Sequence, residues 1–170
     1  MFLDRLFKPR PARLAAGDLY AAAVAQAREP GFYTALKVPD TREGRFELYT
    51  LHVILLIERL KGEGDAAAET SQAVFDAYVR GLDDAFRELG VGDLSVGKKM
   101  KKLAEAFYGR LRTYQQASAT PAELEAMVAR TIPEADAGGL AVYLTAARDH
   151  LAAQPLETLL SGGVTWPAPR

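Results

Sequence analysis

A helical repeat of apolar residues runs through nearly all of this 170-residue chain and restricts the folds that it can adopt. Apolar residues recur at spacings of three and four, and no segment shows the alternation of a β-strand. In residues 44–61 they lie on most of the helix circumference, which is typical of a helix buried on every side. We therefore predict an all-α fold, a single compact domain of six to eight helices with residues 44–61 at its centre.

Local start and stop signals divide the chain into helices. The predicted helices span about residues 18–29, 44–61, 70–89, 96–117, 121–131 and 138–153, with a short apolar turn near 32–36 and a last short helix from Pro155. Asp40 and Glu43 have the spacing of a capping box. Thr120 is a suitable N-cap, because the proline that follows it fits the first helical position. The tail, residues 162–170, is expected to be loose.

A tight corner follows residue 89 and at first sight resembles a phosphate-binding loop. Gly90 suits a left-handed C-terminal cap, and Ser95 suits the N-cap of the next helix. Residues 92–99 match the pattern G-x-x-x-x-G-K. However, Lys99 replaces the Ser or Thr that would bind magnesium, and a helix precedes the corner where the pattern requires a strand. We therefore reject nucleotide hydrolysis.

Lysines crowd the start of the helix after this corner. Between Ser95 and Tyr114 the chain has six basic residues and one acidic residue, Glu105. Positive charge at the positive end of a helix dipole opposes helix stability, so another role should favour it. A solvated helix face is the simpler alternative. We favour a partner-binding basic patch formed by Lys98, Lys99, Lys101, Lys102 and Arg110.

Composition excludes several kinds of site. The chain has no cysteine and only two histidines, His52 and His150, which rules out disulfides, thiolate metal sites and histidine-rich metal sites. The net charge of −1 gives no general attraction to DNA or RNA. The strongly apolar run of residues 53–57 is far shorter than the roughly 20 residues of a spanning helix. No nucleophile has a base beside it, so we predict no enzyme activity, no metal and no cofactor.

Polar residues within the helical pattern are interpreted as structural. His52 lies in the most apolar helix and is expected to be a core histidine whose hydrogen bonds are satisfied. Five charged residues are expected to form ion pairs between helices rather than an acid–base pair. They are Arg45, Asp76, Asp83, Asp84 and Arg87.

Several motifs between Leu19 and Tyr114 resemble the ubiquinol–cytochrome c chaperone family in order and spacing. The motifs are Val38-Pro39-Asp40-Thr41, Gly44-Arg45-Phe46, Leu51-His52, residues 87–99 and Phe107-Tyr108-Gly109-Arg110. The signature residues of the corner are Gly90, Gly92, Asp93, Ser95 and Gly97. Four further signature residues are expected to be structural, namely Asp40, Thr41, Arg45 and His52.

The resemblance implies a non-catalytic assembly factor that helps newly made cytochrome b to enter complex III. Mitochondrial members act with a small partner subunit, near the ribosome exit site and the inner membrane. This chain starts almost at the helical domain, without a long transit region rich in Arg and Ser. We therefore expect a bacterial member on the cytoplasmic side of the inner membrane. Its expected partners are nascent or newly inserted cytochrome b and, with it, a small subunit, the ribosome or the membrane surface.

We divide the chain into three parts on these grounds. Residues 1–17 form a basic and apolar arm, residues 18–118 carry the family resemblance, and residues 119–170 form a C-terminal helical extension of the same domain.

Two other functions are consistent with the sequence. A helical domain that binds a lipid or quinone would use aromatic residues that more often fill a core, namely Phe32, Tyr33, Tyr49, Phe107 and Tyr108. A module that binds RNA or the ribosome would use the lysines, and its affinity would fall steeply with salt.

Overall fold

The computed structural model describes residues 11–88 and 93–170, without the side chains of residues 86, 87, 93–97 and 99. Within these ranges the chain forms eight helices and no strand, which confirms the predicted all-α class. The helices are α1 (Pro11–Gln26), α2 (Pro30–Thr34), α3 (Arg42–Leu60), α4 (Asp65–Glu88), α5 (Asp93–Ala117), α6 (Pro121–Thr131), α7 (Ala137–Ala152) and α8 (Leu156–Leu160). No described helix is long and apolar enough to cross a membrane.

Helix α3 is the centre of the fold, as its apolar circumference predicts. Every residue from Leu48 to Leu56 except Tyr49 is buried, and α3 packs against α1, α4 and α7. Helices α5 and α6 close the remaining side, because α5 contacts α4 and α6 contacts both α5 and α7. Each fully buried Leu or Ile contributes roughly 1.5–3 kcal/mol, so α3 is the main source of hydrophobic stabilisation.

Side chains cap the starts of three helices, and one cap differs from the prediction. Thr41, and not Asp40, caps α3, since Thr41 Oγ1 accepts a hydrogen bond from the amide of Gly44 at 3.1 Å. Thr120 caps α6 as predicted, and Asp136 caps α7. A cap predicted from the spacing of a capping box can differ from the observed cap by one residue, because neighbouring polar residues compete for the same free amides.

The predicted corner before α5 is described only in part. Helix α5 includes Asp93, two residues before Ser95, so the prediction that Ser95 caps this helix is wrong. Gly90, the predicted C-cap of α4, and Gly92 lie outside the described residues.

Helix α1 begins at Pro11, seven residues before the predicted start at residue 18, and it ends at Gln26. Its first turns consist largely of small residues, of which Ala15 and Ala16 are buried. Alanine gives little contrast between a buried and an exposed face, so the apolar pattern did not reveal these turns. Residues 11–17, which the sequence assigned to an N-terminal arm, are therefore helical.

The C-terminal tail, residues 162–170, is bound to the helices and is not loose as predicted. The side chain of Gln26 in α1 donates a hydrogen bond to the Pro167 carbonyl at 2.9 Å. The side chain of Gln154, just after α7, accepts from the Thr165 amide at 2.8 Å and donates to the Thr165 carbonyl at 3.0 Å. An irregular segment has no periodic pattern of apolar residues from which its docking could be predicted, and its partners here include residues far away in the sequence.

A chain of hydrogen bonds through His52 joins α3, α7, α1 and the tail. His52 Nδ1 lies 2.7 Å from the Leu48 carbonyl, which can only accept, so Nδ1 carries the proton. Nε2 therefore accepts from the Tyr143 hydroxyl at 2.8 Å. Gln26 Nε2 donates to that hydroxyl at 3.1 Å and to the Pro167 carbonyl. His52 is thus the satisfied core histidine that the sequence predicts.

Aromatic rings enclose the same histidine. The rings of Phe32 and Trp166 meet the His52 ring edge-on, with centroids 5.4 and 5.0 Å away. Burial lowers the pKa of His52 to about 4, although the hydrogen bond to Leu48 opposes this shift. The imidazole is therefore neutral at pH 7, as its acceptor role towards Tyr143 requires.

The buried, neutral His52 should make the stability of the protein depend on pH. Its pKa is about 4 in the folded protein against 6.5 when exposed, so the unfolded chain takes up a proton first as the pH falls. Its stabilising contribution is complete above about pH 6.5 and is lost between there and about pH 4. Between pH 7 and pH 5 we expect this to lower the free energy of unfolding by about 2 kcal/mol.

Urea unfolding at the two pH values measures this effect. The His52→Gln variant should lack that loss of free energy, whereas the His150→Gln control should keep it, since His150 is exposed. An equal loss in wild type and His52→Gln would contradict the assignment of the pH dependence to His52.

Truncating the Trp166 side chain should test whether the tail is docked on the helices. Because this ring packs on His52 and the core, Trp166→Ala should lower the free energy of unfolding by about 2–3 kcal/mol. The control Val142→Ala truncates a residue that is 71% exposed, and it should change the free energy of unfolding by less than about 0.5 kcal/mol. If both variants behaved alike in urea unfolding, the tail would not be docked.

Candidate functional site

An apolar groove of about 300 Å³ lies between the C-terminal end of α3 and helices α4 and α5. Its large apolar lining residues are Ile57, Leu60, Phe75, Phe107, Tyr108 and Leu111, and its lining also includes Ala68 and the polar residues Lys61, Ser71 and Gln72. We call it the α4–α5 groove. It is open to solvent at Tyr108, whose side chain is 47% exposed.

Neighbouring residues on α5 explain how the groove forms. Successive residues on a helix point about 100° apart, so Phe107 faces the core while Tyr108 stands at the edge of the groove. The Phe75 ring on α4 contacts both, with centroids 5.1 Å from Phe107 and 5.3 Å from Tyr108. The aromatic contacts hold α4 and α5 together and leave one face of Tyr108 open to a partner.

The described lysines of the predicted basic patch are exposed on α5. Lys98, Lys101 and Lys102 make no ion pair with any described residue, and they point away from the buried stripe of the helix. Lys101 precedes Tyr108 by seven residues, which is about two helical turns, so the two side chains lie on the same face. Unpaired positive charge therefore continues from the edge of the α4–α5 groove. The side chain of Lys99 lies outside the described residues.

Arg110, also predicted to belong to the basic patch, is held by a carboxylate within the fold. Its guanidinium binds both carboxylate oxygens of Glu47 on α3, with Nε 2.8 Å from Oε2. The Phe46 ring lies 5.2 Å from the guanidinium carbon. The side chains of Arg110 and Glu47 are only 32% and 13% exposed. The charge of Arg110 is thus neutralised, unlike that of the three lysines.

The signature residues at the start of α3 form a local structural unit. Arg45 Nε donates to Asp40 Oδ1 at 2.6 Å, and this hydrogen bond lowers the pKa of Asp40. A Cβ on Gly44 would lie 2.1 Å from the Pro39 carbonyl oxygen, so only glycine allows the extended segment to cross here. Together with the cap by Thr41, these contacts explain why the motif has its particular residues.

The predicted ion pairs between helices are not found for two of the residues named. Arg45 pairs with Asp40, five residues before it, rather than with another long helix. Asp76 accepts a hydrogen bond from Gln72 of its own helix at 3.0 Å. The side chain of Arg87 lies outside the described residues.

The corner signature stays a prediction. Gly90 and Gly92 lie outside the described residues, and only the helical backbone is described for Asp93, Ser95 and Gly97. In the described parts of the chain, no group of three or more His, Asp or Glu residues could hold a metal ion.

The aromatic residues proposed for a lipid or quinone site are divided among three places. Phe32 is buried in the core away from the α4–α5 groove, whereas the buried Phe107 and the exposed Tyr108 both line that groove. Tyr33 and Tyr49 line a separate cleft against α1 and α4. This distribution does not favour one apolar cavity for such a ligand.

Comparisons with known proteins agree with the resemblance in the motifs. A family model described as ubiquinol-cytochrome C chaperone matches residues 34–166. The ubiquinol-cytochrome-c reductase complex assembly factor 1 of Xenopus laevis is 22% identical over 104 residues, or 61% of this chain and 52% of that protein. The chain thus spans about half the length of this curated relative. The crystal structure of the Cbp3 homolog from Brucella abortus matches with a TM-score of 0.84 and 35% identity, covering 98% of this chain and 97% of that one.

The half-buried pair of Glu47 and Arg110 should contribute to stability as a unit. We expect a double-mutant cycle of Glu47→Gln and Arg110→Gln, followed by urea unfolding, to give a coupling energy of about 1–2 kcal/mol. The control cycle uses Asp40→Asn and Arg45→Gln, which are each 58% exposed, and should give a clearly smaller coupling energy because solvent screens this pair. A coupling energy near zero for the first cycle would mean that Arg110 is free to bind a partner.

Proposed function

Because the chain belongs to the ubiquinol–cytochrome c chaperone family, we propose that it binds newly made cytochrome b and holds it until complex III is assembled. The family match over residues 34–166 is the observation that carries this proposal. In this proposal the protein acts by binding and catalyses no reaction.

The α4–α5 groove is the surface that we propose for the client. Three large apolar residues are strongly exposed in the described chain, Leu14, Tyr108 and Val142, and of these Tyr108 lines the groove. Newly made segments of a membrane protein expose apolar helices to water, and an apolar helix can lie in such a groove. Phe75 and Tyr108 would then contact the client directly.

The exposed lysines of α5 would orient the complex. Lys98, Lys101 and Lys102 are exposed and make no ion pair with any described residue, so they favour acidic loops of the client or an anionic lipid surface. From the family match and the similarity to the Brucella abortus homolog, we also propose a bacterial protein that works on the cytoplasmic side of the inner membrane, peripheral to it. A small partner subunit or the ribosome would act at this stage of assembly, before cytochrome b leaves the chaperone.

Changing the groove and the lysines separately should reduce client binding. In cells that lack the gene, we expect lower levels of cytochrome b and lower complex III activity, both restored by the wild-type chain. Tyr108→Ala, and the triple change of Lys98, Lys101 and Lys102 to Glu, should each lower the cytochrome b recovered by crosslinking from native membranes by about tenfold.

Two matched controls separate these sites from general surface effects. Val142→Ala truncates another exposed apolar side chain, and the triple change of Arg13, Arg42 and Arg130 to Glu alters the net charge by the same amount. Both should recover cytochrome b normally. The proposal is wrong if loss of the gene leaves cytochrome b and complex III unchanged. A loss of binding that is the same in the controls would reject the groove as the site.

A further inference from the structure

A second cleft, lined by tyrosines and arginines, lies between α1, α2, the start of α3 and the C-terminal half of α4. It consists of two adjoining depressions of about 400 and 210 Å³ that share Arg28, Tyr33 and Arg45. Tyr20 and Tyr49 complete its inner end. We call it the tyrosine–arginine cleft. It has no lining residue in common with the α4–α5 groove.

Packing holds the tyrosines of this cleft in place. A Cβ on Gly81 would lie 2.3 Å from the Tyr20 hydroxyl, so the glycine in α4 lets Tyr20 lie across that helix. The Tyr49 ring lies 5.5 Å from the Phe46 ring and 5.7 Å from the Tyr78 ring. Fixed rings lose little entropy when a ligand binds, which favours recognition at this place.

Two hydroxyl groups in the cleft have no partner. Among the described residues, the hydroxyls of Tyr20 and Tyr49 make no hydrogen bond, whereas Tyr33 donates to the Ala27 carbonyl at 2.7 Å. Burial raises the pKa of both Tyr20 and Tyr49, so both stay protonated and can donate. Neither hydroxyl oxygen is sealed off from solvent, so both donors are available to a ligand.

The guanidinium groups add further donors. Arg28 is exposed and forms no ion pair with any described residue. Arg45 uses Nε for Asp40, which leaves its two terminal nitrogens free to donate. Asp40 is the one carboxylate that lines the described cleft, and it is already paired. Asp84 adds negative charge near Tyr20, so an anion is favoured at the other end, between Arg28 and Arg45.

A third cleft shows why the free donors matter. This cleft, of about 350 Å³ between α3 and α7, also contains arginines. Its Arg59 donates to the carbonyls of Leu151 and Gln154 and to Glu63, so its hydrogen bonds are satisfied within the fold. In contrast, Arg28 and the hydroxyls of Tyr20 and Tyr49 in the tyrosine–arginine cleft have no hydrogen-bond partner among the described residues and are left for a ligand.

We propose that the tyrosine–arginine cleft binds an extended acidic peptide segment of a partner protein. An Asp or Glu side chain of the segment accepts hydrogen bonds from Arg28 and Arg45, which suit a carboxylate well because guanidinium nitrogens can donate in parallel. The hydroxyls of Tyr20 and Tyr49 donate to carbonyl groups of the peptide. Tyrosine and arginine are the residues that protein interfaces favour, whereas a lipid tail would require an aliphatic lining. The proposal does not depend on client binding in the α4–α5 groove.

Selection from a library of random seven-residue peptides tests this proposal with the full chain as target. We expect the selected peptides to be enriched in Asp and Glu. The most enriched peptide, labelled with fluorescein, is then measured by fluorescence anisotropy. Arg28→Gln should weaken its binding by about tenfold and Tyr49→Phe by about fivefold, as expected for the loss of one charge-assisted and one neutral hydrogen bond. Arg130→Gln, which changes an exposed arginine of α6, should leave the affinity unchanged.

Three results would overturn the proposal. One is a selected pool without acidic enrichment, and another is equal affinity of wild type and Arg28→Gln for the labelled peptide. The third is binding of the protein to vesicles of phosphatidylglycerol that is lost in Arg28→Gln, with no binding of the peptide. That result would assign the cleft to lipid. Thermal unfolding of each variant confirms that it is folded, which is expected because Arg28 is exposed and Tyr49→Phe keeps the ring.

Discussion

The hydrogen-bonded chain from Leu48 through His52, Tyr143 and Gln26 to Pro167 is the constraint on which the rest of this fold depends. Each polar group in this chain is the hydrogen-bond partner of the next. Removing one therefore leaves another polar group without a partner in the protein interior, where an unpaired polar group costs free energy. Hydrophobic burial is non-directional, whereas each of these hydrogen bonds requires two particular atoms to meet. This chain sets α1, α3, α7 and the tail in one arrangement.

The rigid centre leaves two separate surfaces on α4. Phe75, in its N-terminal half, helps to form the α4–α5 groove, and Gly81, further along, lets Tyr20 complete the tyrosine–arginine cleft. One surface is apolar and bordered by lysines, while the other is rich in hydrogen-bond donors. A chaperone that handles an apolar client and also contacts a partner protein has use for two surfaces of different chemistry.

Charged residues that look alike in the sequence have different roles in the structure. Arg110 and Lys101 both belong to the basic stretch of α5, yet Arg110 is held by Glu47, 63 residues away, while Lys101 is free. Counting charges along a helix identifies a basic segment, but it does not show which charges are neutralised. That depends on which helix packs beside it.

The sequence alone determined the all-α class, the central position of α3, the cap of α6 by Thr120 and the family, because periodicity, caps and motifs depend on residues close together in the chain. Only the tertiary structure decided the early start of α1, the docking of the tail, the cap by Thr41 and the pairing of Arg110. The early start of α1 involves alanines that give no periodic contrast, and the cap by Thr41 involves a choice between adjacent polar residues. The tail and Arg110 depend on contacts with distant residues, which no local pattern records. Both proposed surfaces form where helices meet, so the sequence could name Tyr108 and Arg45 but could not place them in a groove or a cleft.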